Sequence, residues 1–183
     1  MMEESSRTER IALDFCAKTG LVEARRWMER LIWKLLDAVG KSAPLVVEAN
    51  CVDGRDTEIF LQRGARIVSV CASEKQLEFA RRRVPDGDLR LLNLERLDLP
   101  TEKFDAVWWV GHQMAKSDTW QILSELARVL KSNGLLTFDI RTDVGENLDE
   151  LKTLLPQFEI LECESYPIDF FTNGLMHITA CKR

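Results

Sequence analysis

The sequence lacks the features of several protein classes. No apolar run approaches the roughly 20 residues that a membrane-spanning helix needs. The 9 glycines and 5 prolines among 183 residues are too few for a linker-rich or collagen-like chain. The apolar fraction of 45% lies in the range of globular proteins. These counts predict one folded domain with a sizeable core and no membrane partner.

A disulfide pattern is also lacking. The five cysteines are odd in number and widely spaced, and no C-x-x-C pair occurs, so a disulfide framework is not indicated. The chain starts with the acidic segment Met1-Met2-Glu3-Glu4, where a secretory signal would be basic. We therefore expect a reducing, cytoplasmic location.

Positive charge does not dominate either. Lysine and arginine number 25 against 30 acidic residues, which gives a net charge of −5. An acidic chain lacks the electrostatic field that draws proteins onto phosphate backbones. We expect no nucleic-acid partner.

The chain does contain short apolar runs that alternate with helical patterns. Leu45–Ala49 is a β-branched run after Pro44, which is typical of a buried strand. Ser73 with Gln76, and Asp118 with Gln121, have the spacing of helix capping boxes. The predicted strands are 45–49, 66–71, 89–92, 104–110, 134–140, 158–164 and 175–181, and the predicted helices are 11–18, 21–39, 56–63, 74–83, 119–130 and 146–155.

This order predicts an α/β three-layer sandwich. Its seven-stranded sheet is mostly parallel, and the last strand is antiparallel because the loop before it is too short for a crossover helix. We expect an N-terminal helical extension over 1–44 and a single compact domain over 45–183. Ligands of such sheets bind at the carboxyl ends of the central strands, where the strand order reverses.

Three stretches carry a resemblance to a known family. They are Phe104-Asp105-Ala106-Val107, the helix-to-strand segment 122–136 (ILSELARVLKSNGLL) and the acidic loop 93–105 (NLERLDLPTEKFD). The chain resembles the class I S-adenosylmethionine (SAM)-dependent methyltransferases from about residue 45 to its end. The resemblance implies a Rossmann-like fold, SAM as cofactor and methyl transfer as the activity.

The same resemblance implies a cofactor loop directly after the first strand. There the family has an acidic residue followed by three alternating glycines, which let the backbone turn tightly beside the cofactor. In this chain Glu48 and Gly54 remain, Asn50 replaces the first glycine and Val52 replaces the second. Asparagine tolerates a positive φ, whereas β-branched valine does not.

Two further cofactor positions also depart from the family pattern. Cys71 ends the second strand, where the family has an acid for the ribose hydroxyls, and Asn93 with Leu94 begins the acidic loop near the adenine. Loss of the ribose carboxylate alone would weaken binding roughly 10- to 150-fold. We therefore expect SAM affinity to be reduced, toward ~1 mM if Val52 also obstructs the site.

Other candidate residues follow the strands. His112 follows the fourth strand and is a candidate general base, or an ordinary loop residue. Cys51 and Cys71, with His112, are either a soft metal or thiol site or simply small packing residues, and we assign no metal ligand. Trp108 and Trp109 should point to opposite faces of the sheet.

Three hypotheses about function remain open. The first is methyl transfer from SAM to a small-molecule acceptor, because the chain has no added substrate domain. The second is a catalytically inactive binding or regulatory subunit, with a protein partner at the N-terminal helices that carry Trp27 and Trp33. The third keeps the crevice but binds another nucleotide or a metal.

Overall fold

The computed structural model describes residues 22–109, 116–141, 156–165 and 175–183. Their helices and strands alternate along the chain as the apolar pattern predicts. In order they are α1 (Val22–Val39), β1 (Leu45–Ala49), α2 (Arg55–Gln62), β2 (Arg66–Cys71), α3 (Glu74–Arg83), β3 (Asp88–Leu91), β4 (Phe104–Trp109), α4 (Lys116–Val129), β5 (Leu130–Arg141), β6 (Phe158–Ser165) and β7 (Leu175–Lys182).

The strands form one sheet in the order β3-β2-β1-β4-β5-β7-β6. Neighbours from β3 to β5 pair in parallel, and β7 is antiparallel to both β5 and β6. The chain moves outward from β1 to β3 and then returns to the other side of β1 with β4. This reversal places the topological switch point at the carboxyl ends of β1 and β4.

Helices cover both faces of the sheet and give the three predicted layers. On one face α4 packs against alternate residues of the central strands, including Val47, Val107 and Leu136. On the other face α1 and α2 pack against Val46 and Ala106. The fold prediction is therefore confirmed.

The two adjacent tryptophans of β4 show the alternation directly. Trp108 lies in the cluster under α1 and α2, and Trp109 lies in the cluster under α4. Both side chains are 1% exposed. In α1, Trp27 is buried, whereas Trp33 is exposed and carries the Arg63 guanidinium over its ring. No structural finding tests the division at residue 44, which stays a prediction.

Helix ends follow the sequence signals in most places. Gly40 after α1 and Gly64 after α2 have φ values of 64° and 78°, the left-handed conformation common after helix C-termini. The Ser73 hydroxyl accepts a hydrogen bond from the Gln76 backbone N–H, as predicted. The Gln76 side chain, however, accepts from Ala72 N–H rather than from Ser73, so the capping box is displaced by one residue.

Two predicted boundaries are wrong. Helix α4 begins at Lys116, so Asp118 lies in its first turn and does not precede it. An acid is favourable in either place because both face the positive end of the helix dipole. Strand β5 begins at Leu130 instead of 134. The strand contains a bulge in which Asn133 has a φ of 61°, so the residues before 134 also belong to it. The predicted helices 11–18 and 146–155 lie outside the described residues.

The Asp105 side chain forms hydrogen bonds that hold the amino-terminal end of β4. Its carboxylate accepts hydrogen bonds from Lys41 Nζ (2.6 Å), Lys131 Nζ (2.7 Å) and the Leu45 backbone N–H (2.9 Å). Burial opposes ionisation, but these donors outweigh it and hold the pKa of Asp105 below its usual range. The carboxylate thus joins β4 to β1 and β5 at the end of the sheet opposite the switch point.

We predict that Asp105→Asn lowers the free energy of unfolding at pH 7 by about 2 kcal/mol, because it removes the charge that both lysines contact. A depressed folded-state pKa stabilises the fold above the unfolded pKa, so the difference should shrink as pH falls below about 4. Urea unfolding at several pH values measures this. Asp88→Asn, which breaks an exposed pair with Arg90, is the control. A pH-independent difference would contradict the prediction.

Candidate active site

Glu48 lies beneath the switch point and is only 5% exposed. Its Oε2 accepts hydrogen bonds from the hydroxyls of Thr57 (2.5 Å) and Ser69 (2.8 Å). Thr57 belongs to α2 and Ser69 to β2, directly across from Glu48 in the sheet. One carboxyl group therefore ties together three elements that surround the predicted cofactor loop.

The surroundings of Glu48 favour its protonated form. Burial and the nearby charge of Asp56 raise the pKa of Glu48 to about 7, although its hydroxyl partners oppose this. Asp56 in α2 accepts the Trp108 indole N–H at 2.9 Å. Burial, together with the charges of Asp53 and Asp139, raises the pKa of Asp56 to about 6 despite the indole hydrogen bond and nearby Arg55. The carboxyl groups of Glu48 and Asp56 therefore ionise at a higher pH than carboxyl groups in free solution do.

The loop from Asn50 to Gly54 keeps a glycine-like backbone at two positions. Asn50 has a φ of 63° and Gly54 a φ of 76°, both in the left-handed region. The Gln76 side-chain amide lies 3.4 Å from Asn50 Oδ1, and the Cys51 backbone N–H donates to Val70 O at 2.7 Å. Asparagine therefore adopts the conformation expected of the first glycine, as the sequence suggested. Val52 is half-buried within this loop.

The far end of the loop is held from α3. Arg83 Nε donates to the Asp53 backbone carbonyl at 3.1 Å, and the Asp53 carboxylate pairs with Arg55 at 3.1 Å. A Cβ on Gly54 would lie 3.0 Å from Val84 Cγ2 and 3.1 Å from the Ala80 carbonyl. Gly54 therefore permits both the left-handed turn and the close approach of α3.

Cys71 is the last residue of β2, and its predicted role in cofactor binding stays a prediction. Its side chain is 0% exposed and packs with Cys51, Leu77 and Ala80. The hydrogen bond with the Cys71 thiol raises the pKa of Cys51, and burial raises it further. The structure thus brings Cys51 and Cys71 together as buried packing residues.

The acidic loop places its two candidate residues differently. Asn93 is exposed, and its Oδ1 accepts the Glu95 backbone N–H at 2.8 Å. Leu94 is 4% exposed and belongs to the buried cluster under α4. Asn93 therefore remains accessible to a ligand, whereas Leu94 contributes mainly to the core.

The remaining candidates lie partly beyond what the structure describes. His112 falls outside the described residues, so its assignment as a general base stays a prediction. Within the described part of the chain, no group of three or more His, Cys, Asp or Glu side chains could hold a metal ion. No helix there is long and apolar enough to cross a membrane.

Sequence reasoning missed a polar cluster beside the switch point. Asp139 of β5 lies opposite His177 of β7, and Asp139 Oδ1 is 2.6 Å from His177 Nδ1, with both side chains buried. The His177 ring contacts Trp27 and Trp108, at centroid distances of 5.4 and 5.8 Å. Only the predicted pairing of the two strands could have suggested this contact.

Comparison with known proteins now identifies the family. The family model for the methyltransferase domain matches residues 47–138, which run from β1 through most of β5. The chain therefore belongs to the class I SAM-dependent methyltransferase family. SAM is the cofactor of this family.

Curated relatives share part of their length with this chain. A probable SAM-dependent methyltransferase of Mycolicibacterium smegmatis is 30% identical over 122 residues, covering 63% of this chain and 46% of that protein. A malonyl-[acyl-carrier protein] O-methyltransferase of Salmonella typhimurium is 29% identical over 105 residues, covering 54% and 39%. The chain thus spans less than half the length of both relatives.

Solved structures agree on the fold. Geranyl diphosphate C-methyltransferase from Streptomyces coelicolor, in complex with Mg²⁺, geranyl diphosphate and S-adenosyl-L-homocysteine, aligns with a TM-score of 0.71 and 16% identity, covering 91% of this chain and 84% of that chain. The [4+2]-cyclase SpnF aligns with a TM-score of 0.70 and 18% identity, covering 87% and 80%.

We predict that Glu48 makes the protein less stable as pH rises. Its folded-state pKa of about 7 lies above its ordinary value of 4.5, so the unfolded state releases the proton at a lower pH. The free energy of unfolding should fall between these two pH values, by up to roughly 3 kcal/mol. Glu48→Gln, which stays neutral, should remove most of this fall.

Chemical denaturation at pH values from 4.5 to 8 tests this. The exposed Glu159 of β6 provides a control, because Glu159→Gln makes the same change in net charge away from the site. An equally steep fall in Glu48→Gln would show that other groups dominate the pH dependence.

Proposed function

We propose that this chain binds SAM at the carboxyl ends of β1, β2 and β3 and transfers its methyl group to a small-molecule acceptor. The observation that carries the proposal is the backbone of the loop after β1. Asn50 and Gly54 both adopt the left-handed conformation that the family's glycines supply. The family match over residues 47–138 supports the same activity.

The part of the site that would hold the cofactor is mostly backbone. Loop 50–54 offers main-chain groups at the switch point, and its position is fixed by Val70 O, Gln76 and Arg83. Asn93, two residues after β3, is exposed and retains its side-chain N–H₂ as a donor. Glu48 lies beneath this loop and acts as a positioning residue, since its carboxyl group is buried against Thr57 and Ser69.

SAM, when bound, supplies a methyl group activated by its sulfonium charge. The chain's contribution is mainly to position the two reactants, because methyl transfer needs little covalent help from the protein. We propose that the Asp56 carboxylate, whose pKa of about 6 leaves it mainly ionised at pH 7, gives the region beneath the loop a negative charge that suits a cationic cofactor. Removal of a proton from the acceptor is proposed for His112.

The residues at the ribose position fit the cofactor less well. Cys71 is fully buried against Cys51 and presents no acceptor at the surface. Val52 adds two methyl groups to the loop. We therefore propose weak binding, with a dissociation constant between about 10 μM and 1 mM.

A second function is favoured by one specific observation. If the buried Cys71 and Leu94 mark the loss of the nucleoside site, the chain is a catalytically inactive relative that serves as a binding or regulatory subunit. A protein partner then replaces the small-molecule acceptor, and a cytoplasmic location is proposed in both cases.

We predict that calorimetric titration detects SAM and S-adenosylhomocysteine (SAH) binding in the stated range. Val52→Gly should tighten SAH binding about tenfold, because it removes bulk from the loop without creating a core cavity. Gly54→Ala should abolish detectable binding, since its Cβ collides with α3 and disfavours the left-handed turn.

Gly64→Ala is the matched control for Gly54→Ala. Gly64 has nearly the same φ, 78°, but a Cβ there meets nothing nearer than 3.9 Å and lies away from the loop. It should bind SAH as the wild type does. No binding by the wild type or by Val52→Gly at millimolar SAH would reject methyl transfer and favour the subunit hypothesis.

A further inference from the structure

The two consecutive tryptophans of β4 are equally buried but differ in the hydrogen bonding of their indole N–H groups. Trp108 Nε1 donates to Asp56 Oδ2 at 2.9 Å. Trp109 Nε1 is buried and has no hydrogen-bond acceptor among the described residues. It is the one buried side-chain nitrogen or oxygen in that part of the chain left without a partner.

A buried indole N–H usually finds an acceptor, because leaving it unpaired forfeits its hydrogen bond to water. The rest of the Trp109 ring is well accommodated, since it stacks on Phe138 with ring centroids 6.3 Å apart and planes inclined by 28°. A phenylalanine could keep the ring contact with Phe138 without the unpaired donor, although it would fill less space. The N–H is therefore the unexplained part of this side chain.

The position of Trp109 connects this donor to the proposed site. Trp109 is the last residue of β4, and it pairs with Ala49, the last residue of β1. Ala49 immediately precedes loop 50–54, and Leu94 of the acidic loop belongs to the same buried cluster as Trp109. Trp109, which carries the unpaired N–H, thus lies at the strand ends where the sheet order reverses.

We propose that the Trp109 indole N–H donates a hydrogen bond to an acceptor atom of the bound SAM or SAH. This inference rests on the proposed function and assigns a binding residue to it. The acceptor belongs either to the amino-acid end of the ligand or to its nucleoside. Methylthioadenosine, which has the nucleoside but no amino-acid group, separates these two sources.

The first test needs no ligand. Trp109→Phe should lower the urea midpoint of the free protein less than Trp108→Phe does, because both substitutions remove one ring from a buried side chain but only Trp109→Phe deletes an unsatisfied donor. Trp108→Phe is the matched control and should lower the midpoint, because Asp56 loses its partner. If Trp109→Phe lowers the midpoint as much as Trp108→Phe, the N–H is already satisfied within the protein and the inference is overturned.

The second test is calorimetric titration of the same variants with SAH and methylthioadenosine. Trp109→Phe should weaken SAH binding at least fivefold, and Trp108→Phe should change it less than twofold. Weakening of SAH alone supports a contact at the amino-acid end, and weakening of both ligands supports a contact to the nucleoside. If the wild type binds SAH and Trp109→Phe binds it equally well, only this inference is overturned. If the wild type does not bind SAH, both the proposed function and this ligand assignment are overturned.

Discussion

The candidate site depends on one buried carboxyl group. Glu48 of β1 accepts the hydroxyls of Thr57 and Ser69, and it thereby fixes α2 and β2 relative to the first strand. Loop 50–54 joins β1 to α2, so both of its ends are set by this contact. Because the carboxyl group is buried beside Asp56, it is most compatible with folding when it carries a proton. We therefore expect the stability of this contact to depend on pH.

Around this contact, the chain holds its loop with side chains where the family uses glycines. Asn50 takes the left-handed turn with the Gln76 amide beside it, and Arg83 holds the Asp53 carbonyl from α3. The backbone position of the loop is therefore retained. At the neighbouring strand end, Cys71 packs against Cys51. We propose that the backbone of the loop makes most of the contact with the cofactor and that side chains contribute less of it.

The sheet could be predicted from the sequence because apolar alternation and glycine positions report directly on local structure. The opposite orientations of Trp108 and Trp109 followed from the strand period alone. The bulge at Asn133 could not be predicted, because it depends on how two distant segments pair. The contact between Asp139 and His177 likewise joins residues 38 positions apart. A strand end such as Cys71 can face a ligand or the core, and only its packing against Cys51 decides between them.

The most direct test of the account is an amide NMR titration of the ¹⁵N-labelled full chain with SAH. The account predicts that the amides of 50–54 and 93–95 change their chemical shifts, because these segments line the switch point. The amides of Lys41, Asp105 and Lys131, at the opposite end of the sheet, should stay unchanged. Shifts confined to other segments, or none at millimolar SAH, would contradict the claim that this loop still binds the family's cofactor.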